Sequence, residues 1–103
     1  MTPRKSSRQN AEASTLINDP VWSAVLVRYL KMERSKQNYT FAKLSQALEE
    51  KVGIIQTADN LKTKFNRGNF GAQFLLMCLY VMGSKQISMV DVVELYEQIK
   101  TEQ

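Results

Sequence analysis

The sequence predicts an all-α domain of five helices. From Pro20 onward, apolar residues recur every three or four positions, which is the period of one helix face. Four of the five segments begin after good N-cap residues, and three end at or near glycines. No stretch alternates apolar and polar residues as a half-buried strand would. With 103 residues, 44% of them hydrophobic, the chain suits one domain with a small core.

The first two helices have clear starts. Asp19 is a good N-cap and Pro20 fits the first helical position, so the first helix runs from Pro20 to about Lys36. Thr40 caps the second helix, from Phe41 to about Lys51, and Gly53 ends it. The apolar face of the first helix comprises Trp22, Val25, Leu26, Tyr29, Leu30 and Met32, and Arg28, Lys31, Arg34 and Lys36 give it a basic face.

A short apolar connection, residues 52–56, leads to the third helix. We expect Ile54 and Ile55 in this connection to help fill the core. Thr57 is the expected N-cap of a helix from about Ala58 to Asn66, and Gly68 is expected to end it in a left-handed conformation.

The last two helices differ in character. The fourth, about residues 70–82, is apolar nearly all round, so we expect it to be the central and most buried element. Ser88 caps a fifth helix, from about Met89 to Lys100, with Asp91 three residues after the cap.

The chain divides into three regions. Residues 1–17 are polar and basic and are expected to form a flexible N-terminal arm, which either touches nucleic acid or is a plain tail. Residues 18–84 form the helical domain. Residues 85–103 form a C-terminal amphipathic helix that is a candidate dimerisation element.

Charge and composition narrow the classes of function. The net charge is +4, and residues 28–67 carry nine Lys or Arg against four acids. Such a basic block favours a polyanion-binding face. The chain has no histidine and a single cysteine, Cys78, so we expect no metal site, no cofactor and no enzyme activity. We also expect no membrane span and no signal peptide, and a cytoplasmic location.

The third helix carries the functional hypothesis. Ala58, Leu61 and Phe65 share one face at spacings of three and four. The side chains that project opposite them are Gln56, Asp59, Asn60, Thr63 and Arg67, with Lys62 and Lys64 on the two flanks. Two short helices, the second anchored inside and polar outside, follow the helix-turn-helix plan. Side chains of this kind read base edges in the major groove and hold phosphates.

Three stretches resemble the lambda-repressor-like (Cro/C1-type) helix-turn-helix domain. They are Tyr39 to Leu48, Leu61 to Gly68 and Phe74 to Gly83. The element from Asn60 to Phe70 also resembles a family of small uncharacterised bacterial domains. The chain departs from the Cro/C1 pattern in its longer link before the third helix and in Asn66, where a Glu is usual.

The resemblance implies roles for individual residues. Gln56, Thr57, Asn60 and Thr63 match positions that face bases, and Lys64 and Arg67 lie nearer the phosphates. Lys43 on the second helix and Lys62 on the flank of the third complete the expected DNA-binding set. The alternative for each residue is a solvated polar side chain.

The expected function is sequence-specific binding of double-stranded DNA by a small transcriptional regulator of a bacterium, phage or plasmid. We expect a homodimer, because the apolar stripe of the fifth helix exceeds what one side of a small core needs. The stripe comprises Met89, Val92, Val93, Tyr96 and Ile99. Its alternative role is to pack on the first and fourth helices. The alternative function is a protein-interaction module that keeps the fold but binds a partner protein.

Overall fold

The computed structural model describes residues 19–68 and 70–102, and these residues form five α-helices and no strand. The helices are α1 (Pro20–Lys36), α2 (Phe41–Val52), α3 (Ala58–Arg67), α4 (Ala72–Met82) and α5 (Met89–Glu102). The predicted all-α class is therefore confirmed. The proposed N-terminal arm, residues 1–17, lies outside the described residues.

Each predicted N-cap residue caps its helix. The Asp19 carboxylate accepts from the backbone N–H of Val21 at 2.8 Å. Thr40 and Thr57 each accept, at 3.0 Å, from the N–H three residues on, and Ser88 does so at 3.2 Å. The fourth helix begins two residues later than expected, at Ala72, after Gly71, which provides no capping side chain.

Helix α1 lies at the centre of the domain. It contacts α3, α4 and α5, and α2 contacts α3 and α4. The expectation that the fourth helix is central is wrong, because α1 has that position and α4 packs on α1 and α2. On its other side, Leu76 and Tyr80 remain 55% and 65% exposed. The expectation that α4 is the most buried helix is confirmed, since four of its 11 residues are buried, a larger share than in any other described helix.

The link between α2 and α3 runs from Gly53 to Thr57. Gly53 adopts a left-handed conformation and its N–H donates to the carbonyl of Glu49, which ends α2 as predicted. Ile54 packs against the core, but Ile55 is 76% exposed, so only half of the prediction for these two residues is right. Burial alternates along the link, as it does along an extended chain whose successive side chains point to opposite sides.

The last helix packs along α1. Its Tyr96 ring stacks on Trp22 with centroids 4.7 Å apart, and Ile99 is buried. At its end, both oxygens of the Glu102 carboxylate accept from the Arg28 guanidinium, at 2.6 and 2.9 Å. Part of the apolar stripe of the fifth helix therefore packs on α1, which is the alternative to a role in dimerisation.

Among the described helices, none combines the length and the apolar content that crossing a bilayer requires.

Candidate nucleic-acid interface

Two fully buried side chains hold α3 in place. Leu61 and Phe65, four residues apart, are completely inaccessible to solvent. The Phe65 ring meets Phe41 of α2 edge-on at 5.2 Å between centroids, and Phe74 of α4 at 6.3 Å. A helix of ten residues is too short to be stable alone in water, so these contacts fix its position.

The opposite side of α3 is polar and open. Asn60, Thr63 and Arg67 are all exposed, and their spacings of three and four residues place them along one strip. Asp59, the only acid of α3, is also exposed and lies four residues before Thr63, so it belongs to the same side of the helix. The strip therefore presents an amide, a hydroxyl and a guanidinium together with one carboxylate.

Lys64 differs from its neighbours because it is partly buried. Its Nζ lies 5.6 Å from the centre of the Phe74 ring of α4, within reach of a weak cation–π contact. Its aliphatic stem covers apolar surface and its ammonium group stays at the edge of the strip. Any truncation of Lys64 removes packing as well as charge.

The start of α3 is tied to α2. The hydroxyl of Ser45 donates to the carbonyl of Gln56 at 2.5 Å. The Thr57 hydroxyl oxygen accepts the capping hydrogen bond from Asn60, which leaves its proton free to donate outward. Gln56 is half-buried and Thr57 is exposed, so of the two Thr57 presents more of its side chain to solvent.

The end of α3 lies very close to α1. Gly68 has a φ of +64°, as predicted for the glycine that ends this helix. A Cβ atom placed here would lie 2.6 Å from the carbonyl oxygen of Ser23 and 2.7 Å from a methyl carbon of Val27. Only glycine allows this approach, so Gly68 fixes the position of the α3 C-terminus as well as its backbone turn.

Two basic residues near this interface have different surroundings. Lys43, in the first turn of α2, is exposed, and its Nζ lies 4.4 Å from the centre of the Tyr39 ring. Arg34 at the end of α1 stacks over Phe41 at 4.2 Å and donates to the carbonyl of Tyr39 at 2.9 Å. Arg34 therefore braces α1 against the start of α2, and its charge is only partly available to a ligand.

Two cations of α1 that the sequence does not assign to the interface lie beside the end of α3. Arg28 and Lys31 line a cleft of about 480 Å³ together with Arg67 of α3. The basic face of the first helix was visible in the sequence. Its position beside the end of α3 depends on how the two helices cross, and the sequence does not reveal that crossing.

One acid is buried away from this face. Glu33 is 3% exposed, and its carboxylate accepts from the Ser84 hydroxyl at 2.7 Å and from Lys36 Nζ at 3.2 Å. Burial raises the pKa of Glu33, but the hydrogen bonds from Ser84 and Lys36 and the Lys36 charge outweigh it, so this pKa is lowered from its ordinary value. Glu33 thus joins the end of α1 to the connection after α4.

The single thiol is buried. Burial raises the pKa of Cys78 to about 12, so the thiolate that would act as nucleophile or metal ligand is disfavoured. Among residues 19–68 and 70–102, no three Cys, Asp or Glu side chains are grouped as a metal site.

The predicted dimerisation residues divide into two groups. Val92, Tyr96 and Ile99 are partly or fully buried within their own chain. Met89 and Val93 are 62% and 52% exposed, and Val90 beside them is also exposed. Only this second group is available to a partner.

Comparison with known proteins identifies the family. No match was found among curated proteins or among solved structures. A family model described as a domain of unknown function, DUF6471, matches residues 22–87. The match runs from α1 through α4 to the connection before α5, and it agrees with the resemblance to small uncharacterised domains. Because it covers more than half of the 103 residues, the chain belongs to the DUF6471 family.

Proposed function

We propose that the protein binds double-stranded DNA in a sequence-specific manner, as a small transcriptional regulator of a bacterium, phage or plasmid. In this proposal α2 and α3 form a lambda-repressor-like helix-turn-helix, and α3 enters the major groove. One observation carries the proposal. Leu61 and Phe65 are fully buried, whereas Asn60, Thr63 and Arg67 form an exposed polar strip opposite them, with Asp59 as its one carboxylate.

The chemistry of each side chain suggests its role. Asn60 can pair with adenine through its amide, and Thr63 and Thr57 can donate or accept at base edges. Gln56 is half-buried, so its amide can contact only a base that lies beside the start of α3. The phosphate contacts fall to Lys43, Lys62, Lys64 and Arg67, whose positive charges lie on α2 and α3.

The link between α2 and α3 is long, but hydrogen bonds anchor it to α2. Five residues, 53–57, join α2 to α3, more than in the Cro/C1-type turn. The hydrogen bond from Ser45 to the Gln56 carbonyl fixes the end of this link on α2. Because the link is held at both ends, α3 can be presented at a defined angle, which base readout requires.

A gel-shift series at rising salt tests the proposal. Binding should weaken steeply with salt, because each phosphate contact releases condensed counterions. The matched variants are Asn60→Ala and Lys62→Ala, both exposed positions of α3. The first should relax sequence preference, and the second should weaken all duplexes alike. Equal effects of both variants on every duplex would argue against base readout by Asn60.

In this proposal the protein binds DNA as a homodimer, and its two subunits read two half-sites about one helical turn apart. The exposed side chains of Met89, Val90 and Val93 support this, because clustered apolar residues on a surface often mark a contact. Sedimentation velocity of the wild type and of Val93→Lys tests it. We expect a dimer that the substitution disrupts; a wild-type monomer at all concentrations contradicts the dimer.

A second function is favoured by a separate apolar surface. Leu76, Tyr80 and Ile87 are exposed and line a groove of about 210 Å³ between α4 and the connection to α5. Such a groove suits the protein-interaction alternative. If Tyr80→Ala abolishes a cellular function while DNA binding stays unchanged, the groove rather than α3 is the working surface.

A further inference from the structure

The cleft between α1 and the end of α3 is lined by apolar, polar and basic residues. Ala24 and Val27 of α1 belong to the lining, and Arg28, Lys31 and Arg67 bring three positive charges to it. No carboxylate lines the cleft among the described residues. Lys31 and Arg67 are exposed, so their charged groups can move towards a ligand.

These charges are mostly unneutralised. In residues 19–68 and 70–102, Lys31 and Arg67 form no ion pair, and Arg28 pairs with Glu102. Asp19, next to Pro20 of the cleft lining, accepts from the backbone N–H groups of Val21 and Trp22 as the N-cap of α1. Like charges around one cleft repel each other, and an anion between them removes the repulsion. Phosphate suits this set, since a guanidinium binds it with two hydrogen bonds and an ammonium binds it as a point charge.

The position of the cleft indicates the source of the phosphate. Arg67 is the last residue of α3 and belongs both to the exposed strip with Asn60 and Thr63 and to the cleft. A DNA strand that follows α3 towards its C-terminal end therefore continues directly onto Lys31. A free anion would not need this continuity.

We propose that the α1–α3 cleft is a second contact with the DNA backbone, in which Lys31, together with Arg67, binds a phosphate beyond the end of α3. This inference rests on the proposed DNA binding and extends the footprint from α2 and α3 to α1. Lys31 acts on affinity for all sequences alike, because phosphates carry no sequence information.

The ion pair between Arg28 and Glu102 limits this site. The Glu102 carboxylate occupies the guanidinium that a phosphate would use, at 2.6 and 2.9 Å. Replacing Glu102 with Gln removes the competing charge and leaves Arg28 free to bind the backbone. The end of α5 thus weakens DNA binding through the cleft.

The test compares Lys31→Gln with Lys85→Gln, since both substitutions remove one positive charge from an exposed lysine. Binding of a fluorescent mixed-sequence duplex is followed by anisotropy between about 50 and 200 mM salt. The slope of log affinity against log salt should fall by about one for Lys31→Gln. It should not change for Lys85→Gln. Equal slopes for the two variants would overturn the cleft contact.

A second pair of variants does not depend on Lys31. Glu102→Gln should raise both the affinity and the salt slope, and Glu94→Gln, an equally charged change elsewhere on α5, should do so less. Equal gains for the two variants would show only a general electrostatic effect and would contradict competition for Arg28. Wild-type protein that binds no duplex would instead overturn the proposed function itself.

Titration with inorganic pyrophosphate distinguishes a free anion from DNA. Backbone amide signals of Val27, Lys31 and Arg67 are followed by NMR in the wild type and in Lys31→Gln. If pyrophosphate shifts these signals only in the wild type while the DNA salt slopes of the two proteins are equal, the cleft binds a small anion. That result would overturn the backbone contact. If Lys31→Gln weakens pyrophosphate binding and also lowers the salt slope of DNA binding, the backbone contact is supported.

Discussion

Adding one methyl group at Gly68 tests how closely α3 packs on α1. The substitution is Gly68→Ala, and its matched control is Gly53→Ala. Both glycines end a helix in the left-handed region, with φ values of +64° and +71°. The space around them differs. A Cβ at Gly68 meets the Ser23 carbonyl oxygen at 2.6 Å, whereas a Cβ at Gly53 meets nothing within 4 Å.

The expected destabilisation follows from this difference. Both substitutions place alanine in a left-handed conformation, at about 1–2 kcal/mol each. Both also stiffen the unfolded chain, which offsets about 0.4–1 kcal/mol. Only Gly68→Ala adds overpacking, at about 1–3 kcal/mol. Because the Ser23 carbonyl belongs to a helix backbone, it cannot rotate away from the new methyl group.

Urea unfolding followed by circular dichroism measures both variants. We expect Gly68→Ala to lower the free energy of unfolding by about 1–3 kcal/mol more than Gly53→Ala does. The slope of the unfolding free energy against urea concentration should stay unchanged, since neither substitution alters the surface exposed on unfolding. Equal losses for the two variants would refute the close approach of α3 to α1.

Three further predictions concern the core and its buried groups. Phe65→Ala should cost about 3–5 kcal/mol in urea unfolding because it empties the site between α2 and α4, whereas Leu76→Ala on the exposed side of α4 should cost about 1 kcal/mol or less. Wild-type stability should fall as the pH drops through the folded pKa of Glu33, because a lowered pKa contributes stability only above the unfolded value; pH-dependent unfolding of Glu33→Gln should show a smaller fall. The Cys78 thiol, with its pKa raised to about 12, should react with a disulfide reagent only after unfolding, as absorbance of the released thiolate would show.

Each of these predictions has an outcome that contradicts it. Similar costs for Phe65→Ala and Leu76→Ala would mean that Phe65 does not anchor α3. An unaltered acid transition in Glu33→Gln would leave the bonds from Ser84 and Lys36 without energetic effect. Rapid modification of the native Cys78 thiol would show that the core around it opens readily.

Local signals explain why the helix starts were predictable. Asp19, Thr40, Thr57 and Ser88 each cap the helix that follows them through a hydrogen bond spanning two or three residues. Such bonds depend on neighbours in the sequence, so the residue types alone predict them. The first turn of α4 lacks a capping side chain, and there the predicted start was two residues early.

The errors concern contacts between distant residues. The composition of α4 does not reveal that Leu76 and Tyr80 lack a covering helix, because that depends on where α5 packs. Ile55 was assigned to the core on its hydrophobicity, but its neighbour Ile54 takes the inward position.

The candidate interface was predictable in part. The period of three and four along α3 placed Leu61 and Phe65 inside and Asn60 and Thr63 outside, and the burial pattern matches. The partial burial of Lys64 and the approach of Lys31 to the end of α3 depend on α4 and α1. The apolar periodicity of one helix does not predict which side chains of other helices it contacts.

Selection of bound duplexes from a random-sequence library by the purified protein tests whether it binds DNA sequence-specifically as a dimer. We expect enrichment of one sequence motif, arranged as an inverted repeat whose half-sites lie about one helical turn apart. Retention of no duplex, even at low salt where phosphate contacts are strongest, would contradict DNA binding by α3.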